Sequence, residues 1–369
     1  MSFDHRKSLM KEIEELRGGR RLVALCNFDR QEDPPNLGAN VQFAADLKEP
    51  LFRVLKETVS PGDKIDVFLY TRGGETNAVW PVVSLIREFD SDFEVLIAFR
   101  AHSSGTLLSL GAKKLVMGPM SELSPIDPTC GNHFNPRDEI TKVHQGISVE
   151  DVSAYIDFLK KTLGAKPDEE CSPEIYTLMQ PYLAALTSSV HPLALGNVQR
   201  VMMQIRTLAK SVLRLHFTDE ARIDVMINQL TTEYYSHSHM INRYEAKAIL
   251  GEEHVDFADS SLASKMDQLL RLYEDDFALR MPFYLNRFME NDHEKEARLI
   301  GGCVESRTWG YLYESKLRIR QTLAAHPNFQ IQLQPGQTPP LVPGMPRNYQ
   351  CEVVSRTWIR NKMPVGVSV

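Results

Sequence analysis

Several signals that would quickly assign a function are scarce or missing. There are five cysteines, Cys26, Cys130, Cys171, Cys303 and Cys351, and they stand far apart. None forms a CxxC or a His/Cys ligand pattern, so no metal site is expected and reduced intracellular thiols are the simple reading. No run approaches 18 apolar residues, so no membrane span is expected. The N-terminal stretch MSFDHRKSLMKEIEELRGGRR has no apolar h-region, so no secretory signal is expected. Together these absences give a cytoplasmic expectation. A basic excess is also missing: Lys and Arg total 42 against 48 Asp and Glu, a net charge of -6. That balance argues against a general nucleic-acid or anionic-membrane binder. Neither GxxxxGK[ST] nor GxGxxG occurs, so no phosphate loop and no cofactor are expected.

What is present is ordinary in bulk and specific in one place. The 369 residues are 43% hydrophobic and 24% charged, enough for a large core and two or more domains. The specific place is residues 67–128. Val67 to Tyr70 reads as a short strand ending at Thr71-Arg72-Gly73-Gly74. Glu94 to Phe99 reads as another, ending at Ala101-His102-Ser103-Ser104-Gly105. Helical patterns follow each turn, over Ala78 to Phe89 and Thr106 to Ala112. Strand, turn, helix, repeated, is the pattern of parallel crossover units in an α/β fold. Such folds place chemistry at the carboxyl ends of their strands, where both turns fall.

The rest of the chain divides by pattern. Helical periodicity marks Ser8 to Leu16 and Phe43 to Val59, with a strand at Arg21 to Phe28 between them. Asn132 to Gln145 is polar and reads as a mobile loop or flap. Helices are expected over Val152 to Leu163, Ile175 to Leu186, Ala194 to Leu215, Thr218 to Leu230, Tyr244 to Leu250 and Ala258 to Met281. From about Phe288 the pattern becomes mixed. One short echo, Ser-Arg-Thr-Trp at 306–309 and at 355–358, could mark paired strands of one small sheet or be chance. The domains read as a core over 1–170, a helical region over 171–287 that could supply an oligomer interface, and a small mixed α/β segment over 288–369.

The two glycine turns suit acyl transfer. Backbone N–H groups make the best oxyanion donors because they are fixed before the reaction. Gly73-Gly74 lets backbone approach a ligand closely. Ser103 sits where a strand turns into a helix, so its hydroxyl can be exposed while the next N–H points into the same space. Ser103 as nucleophile, with N–H groups of Ser104 and of Gly73 or Gly74 as oxyanion donors, is a coherent set. The bland alternative is that Gly-Gly is a turn and Ser-Ser-Gly an N-cap.

Together the turns resemble the Clp-protease/crotonase superfamily. The closer resemblance is to its serine dehydrogenase proteinase family, grouped with the signal-peptide-peptidase A-like serine peptidases. The residues that carry it are Gly73-Gly74, Ser103-Ser104-Gly105-Thr106, Val116-Met117 and Ser124-Pro125-Ile126-Asp127-Pro128. A weaker second block is His237, Ile241, Glu245-Ala246 and Gly251, and the resemblance spans roughly residues 20 to 255. It implies a Clp-protease/crotonase-like ββα spiral core, a nucleophile at Ser103, a peptide or protein substrate and a homo-oligomer.

The general base is less clear. Clp protease places a histidine at what corresponds here to Ile126, so the Clp form of the triad is absent. Signal-peptide-peptidase A-like enzymes use a lysine, which can take the serine proton if burial depresses its pKa. Lys142, in the polar loop 39 residues after Ser103, is the first lysine candidate; its plain alternative is a solvated loop lysine. His237 is the histidine candidate, its plain alternative a structural turn histidine. His237 with His239 is only a weak zinc signal, since acids and cysteines are not nearby. His102 precedes Ser103 directly, and adjacent strand side chains point apart. It is left to line the substrate cleft or the surface. Asp127 either orients a base or makes an Asx-type turn before Pro128.

Three functions compete. The first is a serine peptidase of Ser-Lys or Ser-His type. The second is a crotonase-like acyl-CoA enzyme that keeps the oxyanion hole but needs no serine. The third is a non-catalytic scaffold or partner-activated effector with a protease-like core.

Overall fold

Why parallel strands form is visible in the apolar runs. Arg21–Asn27 and Ile65–Thr71 are buried on both faces, as strands covered by helices on each side must be. A computed structural model of the chain describes residues 3–30, 40–126, 129–130, 132–140, 142–164, 172–231, 239–290, 292–323 and 347–361. Its first half runs α1 (Phe3–Leu16), β1 (Arg21–Asn27), α2 (Lys48–Thr58), β2 (Ile65–Thr71), α3 (Val79–Phe89), β3 (Glu94–Ala101), α4 (Ser104–Leu110), β4 (Lys114–Met117) and β5 (Glu122–Leu123). A two-stranded sheet of β6 (Thr129–Cys130) and β7 (Ile147–Ser148) precedes α5 (Val149–Thr162). Then come α6 (Pro173–Ser189), α7 (Pro192–Leu213) and α8 (Glu220–Thr231). β8 (Ile241–Asn242), α9 (Arg243–Leu250), β9 (Val255–Phe257), α10 (Ser260–Asp276) and α11 (Leu285–Met289) follow. Three long strands close the described chain: β10 (Glu294–Ser306), β11 (Gly310–Leu323) and β12 (Arg347–Arg360).

The main sheet has the order β12-β11-β10-β1-β2-β3-β4-β9. Strands β1, β2, β3, β4 and β9 are parallel neighbours, while β10 to β12 are antiparallel and join through β1. One face packs on α2, α3, α4, α7, α8 and α9, through residues such as Leu51, Val82, Leu107, Ile205, Ile223 and Ala246. The other packs on α1 and α10, through Met10, Ile13, Met266 and Leu269. The result is a three-layer α/β architecture, as the alternating strand and helix patterns imply.

Several helix ends follow local chemistry. Asn242 and Glu245 form a reciprocal capping box at α9. Ser172 caps α6, with Pro173 in its first turn. Gly251 ends α9 at φ 97°. Other features depart from the expectation. Phe43 lies outside its helix and instead bridges Gly74. The Ser-Arg-Thr-Trp echo is not a strand pair. Arg307 to Trp309 forms the turn after β10, whereas the second copy lies inside β12, and β11 separates the two strands. Strands β10, β11 and β12 therefore extend the core sheet; they do not form a sheet of their own. Buried Arg6 of α1 ties β10 down: its Nη2 lies 2.9 Å from Glu305 Oε1, and the Tyr273 hydroxyl donates to Glu305 Oε2 at 3.1 Å. Among the described residues no helix is long and apolar enough to cross a membrane.

Candidate active site

The site forms where β2 and β3 end side by side. The N–H of His102 donates to the Thr71 carbonyl at 3.0 Å, which keeps the two strand ends together beyond their ladder. At the end of β2 the chain turns through Gly73, φ 105°, and Gly74, φ 154°. A β-carbon on Gly73 would sit 2.7 Å from Ser103 Cβ and 3.2 Å from Ser103 Oγ. One on Gly74 would sit 2.1 Å from the Phe43 carbonyl oxygen. Both positions thus need glycine for space as well as for backbone angle. Phe43 explains the second collision. Its N–H donates to the Gly73 carbonyl at 2.9 Å, and its carbonyl accepts from the Glu75 N–H at 2.7 Å.

Ser103 occupies a strained backbone, φ 50° and ψ -109°, between β3 and α4. For a residue with a β-carbon such angles cost on the order of 1–3 kcal/mol, and surrounding bonds must hold them. Those bonds are present. Ser103 N–H donates to Ser124 Oγ at 2.8 Å, and the Leu107 N–H donates to the Ser103 carbonyl at 3.0 Å. Buried Thr106 Oγ1 shares its one proton between the carbonyls of Ala101 and Ser124, each 2.9 Å away, and accepts from the Ser124 N–H at 3.1 Å. Thr106 therefore fastens the Ser124 loop to the turn that carries Ser103. Gly105 lets α4 lie against β2, where a β-carbon would meet Thr71 Cγ2 at 2.6 Å.

The backbone donors divide unevenly. Gly73 N–H is taken by Thr71 Oγ1 at 3.0 Å. The N–H groups of Gly74 and Ser104 make no hydrogen bond among the described residues, although the Ser104 hydroxyl donates to the Gly74 carbonyl at 3.0 Å. Ser103 itself is half-buried, and its hydroxyl makes no hydrogen bond among the described residues.

Ile126 is fully in the core, with its N–H donating to the Leu230 carbonyl at 2.9 Å. Lys142 is exposed at the tip of a hairpin-like loop, on left-handed backbone of φ 58°. The loop is closed by a bridge between Arg137 and His144 and by the Lys142 N–H to the Asp138 carbonyl at 2.9 Å. No hydrogen bond joins Lys142 to Ser103. His237, Asp127 and Pro128 lie outside the described residues. His239 pairs with Glu245 Oε1 at 3.3 Å. His102 is buried, and its Nε2 lies 3.1 Å from Glu122 Oε1, so it is not a surface residue. Glu122 also takes Arg100 Nε at 3.2 Å, and Arg100 and Arg72 both reach Asp29 Oδ2 at 3.2 Å. This charged row follows residues 70, 72, 100 and 102, the opposite side of the strand ends from Thr71 and Ala101. The Tyr70 hydroxyl donates to Asp29 at 2.8 Å, and burial with that carboxylate pushes its pKa up. In the sequence Thr71, Ser124 and Thr106 stand out only as parts of motifs, with no role at the site, and Phe43 only as part of a helix. Threonine at a strand end is too common to single out, and Phe43 is distant in sequence from the turn it braces.

Residues 1–159 match the family model of the ClpP-like SDH-type serine proteinases. That match bears out, for this part of the chain, the resemblance carried by the two glycine turns, and with it the ClpP-like α/β fold class. Two uncharacterized proteins of Methanocaldococcus jannaschii are similar to the chain. One is 24% identical over 186 residues, covering 46% of this chain and 64% of the relative. The other is 29% identical over 127 residues, covering 34% and 42%. The chain thus spans less than two thirds of the length of either relative. Among solved structures, two forms of the 1510-N membrane-bound stomatin-specific protease are similar at 14% identity. A mutant form covers 60% of this chain and 76% of that one, with a TM-score of 0.33. A second mutant, in complex with a substrate peptide, covers 61% and 75%, with a TM-score of 0.34.

Proposed function

We propose that this chain is a serine peptidase that cleaves peptide bonds through an acyl-enzyme on Ser103. The observation that carries the reading is the strained backbone of Ser103, φ 50° and ψ -109°, held against Gly73. Strain of this kind persists where surroundings enforce it, and here it sets a hydroxyl at the carboxyl end of a parallel strand. The uncommitted N–H groups of Gly74 and Ser104 are the oxyanion donors. Gly73 acts as the spacer that lets Ser103 approach, since its own N–H is held by Thr71. In the reaction the Ser103 oxygen attacks the peptide carbonyl, its proton passes to the base and then to the leaving amine, and water releases the acyl group. Lys142 or His237 is the base. Both stand apart from the Ser103 turn in sequence, as triad members can.

The substrates are peptides or proteins, and the compartment is cytoplasmic. A homo-oligomer is supported by α6. It has no charged residue beyond Glu174, yet Tyr176, Leu178 and Tyr182 are exposed. An apolar helix of this kind is normally covered.

The test is a fluorophosphonate probe on the purified full chain, read by mass spectrometry. Label on the peptide containing Ser103, absent in Ser103→Ala, is expected, as is hydrolysis of a peptide panel. Lys142→Ala or His237→Ala, whichever removes the base, lowers kcat/KM by at least about a hundredfold. A second reading, a non-catalytic scaffold or partner-activated effector, is favoured by the burial of Ile126 where a Clp-type histidine would stand. Unlabelled Ser103 with no hydrolysis, alone, would select that reading. Thermal stabilisation by an acyl-CoA without labelling would select the crotonase-like alternative.

A further inference from the structure

A concave site lies at the other end of the sheet. Ser103 follows the carboxyl end of β3, whereas Lys113 and His254 stand just before the amino ends of β4 and β9, which are parallel neighbours. Between them and the chain that links α7 to α8 is a cleft of about 380 Å³, also lined by His216, Phe217, Asp219 and Arg222.

His254 is the informative member. It is 2% exposed, and its Nε2 has no hydrogen-bond partner among the described residues. A buried unpartnered nitrogen is an exception that calls for an occupant. Its protonation follows from the neighbours. The ring bonds to the backbone of Lys113, whose N–H already donates to the Phe93 carbonyl at 2.9 Å. The remaining backbone group is the Lys113 carbonyl, which can only accept, so Nδ1 carries the proton and Nε2 offers a lone pair. Phe217 packs on this ring with centroids 5.1 Å apart.

The cleft's charges are mixed. Lys113 Nζ lies 3.4 Å from Asp92, and Arg222 Nη2 lies 2.5 Å from Glu253, which also lines the cleft. Asp219 caps α8 by accepting from the N–H groups of Ala221 and Arg222 at 3.0 and 3.2 Å. A ligand with one net charge would meet attraction and repulsion together. A zwitterion meets a partner for each end.

We propose that this cleft binds a free α-amino acid, its carboxylate between Lys113 and Arg222 and its ammonium donating to His254 Nε2 beside Glu253. The proposal does not depend on the peptidase reading, because no residue of the Ser103 turn takes part. Titration of the full chain with glycine or L-alanine tests it, followed by calorimetry and by the imidazole resonance of His254. Saturable binding is expected with both, with acetate, methylammonium and inorganic phosphate each at least about tenfold weaker. His254→Gln should weaken glycine binding by at least about tenfold. If that variant does not fold, Arg222→Gln at the partly exposed rim carries the same expectation. Absence of saturation, acetate or phosphate binding as tightly as glycine, or undiminished binding in the folded variant overturns the proposal.

Discussion

The two ends of one sheet are built from different materials. At the carboxyl ends of β2 and β3, the candidate active site is made of backbone. Gly73, Gly74 and Ser103 hold unusual angles, small hydroxyls brace them, and the charged row lies on the other side of the strand ends. At the amino ends of β4 and β9, the cleft is made of side chains, with ordinary backbone and crowded charges. A backbone site is intolerant of added atoms; a side-chain site is sensitive to protonation. Changes at the two ends should therefore fail in different ways.

The largest expected effect is Gly74→Ala. Its β-carbon would sit 2.1 Å from the Phe43 carbonyl, a contact with backbone that no rotamer relieves. Loss of more than about 4 kcal/mol of stability is expected in denaturant titration, with loss of probe labelling. A variant as stable as the parent would break the view that this end is fixed by backbone contact.

Next is the amino-end cleft, which should respond to pH. Burial, with His216 and Arg222 adding to it and the backbone of Lys113 and Glu253 partly offsetting it, pushes the His254 pKa down to about 4. The unfolded chain takes up this proton near the ordinary histidine value of about 6.5. Stability should therefore be full above about pH 6.5, fall by roughly 3 kcal/mol on the way to pH 4, and level below it as far as this group is concerned. His254→Gln should remove that part of the acid slope. An unchanged slope in the variant would show that the cleft is hydrated and His254 titrates normally.

Thr71→Val tests the brace under Gly73. It keeps the shape but leaves the buried Gly73 N–H without its acceptor, now at 3.0 Å. A loss of about 1–3 kcal/mol is expected. If labelling of Ser103 survives unchanged while stability falls, the Gly73 N–H serves structure and the oxyanion donors lie at Gly74 and Ser104. Faster labelling would instead return Gly73 to the oxyanion set.

The same contrast explains what could be read from the sequence. The Ser103 turn was legible because glycine, serine and a strand-to-helix pattern are local signals, all within a few residues. Its bracing was not. The contacts from Phe43 to Gly74 and from Ser124 to Ser103 come from chain folding back, and neither residue type is diagnostic alone. The cleft was invisible for the same reason: His254 acquires meaning only when β9 sets it beside Lys113. The short strands β8 and β9 were missed because two or three residues carry no periodicity. The long strands β10 to β12 read as mixed, since their alternation is interrupted by charges such as Arg318 and Glu352 that face one another across strands.

The smallest stability effect has the clearest meaning. Ser103→Gly removes both the hydroxyl and the β-carbon that makes φ 50° and ψ -109° unfavourable. Glycine accepts such angles without strain but adds freedom to the unfolded chain, so the two effects oppose one another. Relief of about 1–3 kcal/mol against an entropic loss of roughly 0.5–1 kcal/mol leaves a net gain of about 1 kcal/mol. A labelling-dead variant that unfolds at higher denaturant than the parent is therefore expected. A destabilised Ser103→Gly would mean that the hydroxyl or β-carbon is itself a structural support, and the turn would then no longer count as a place where stability is given up to present a nucleophile.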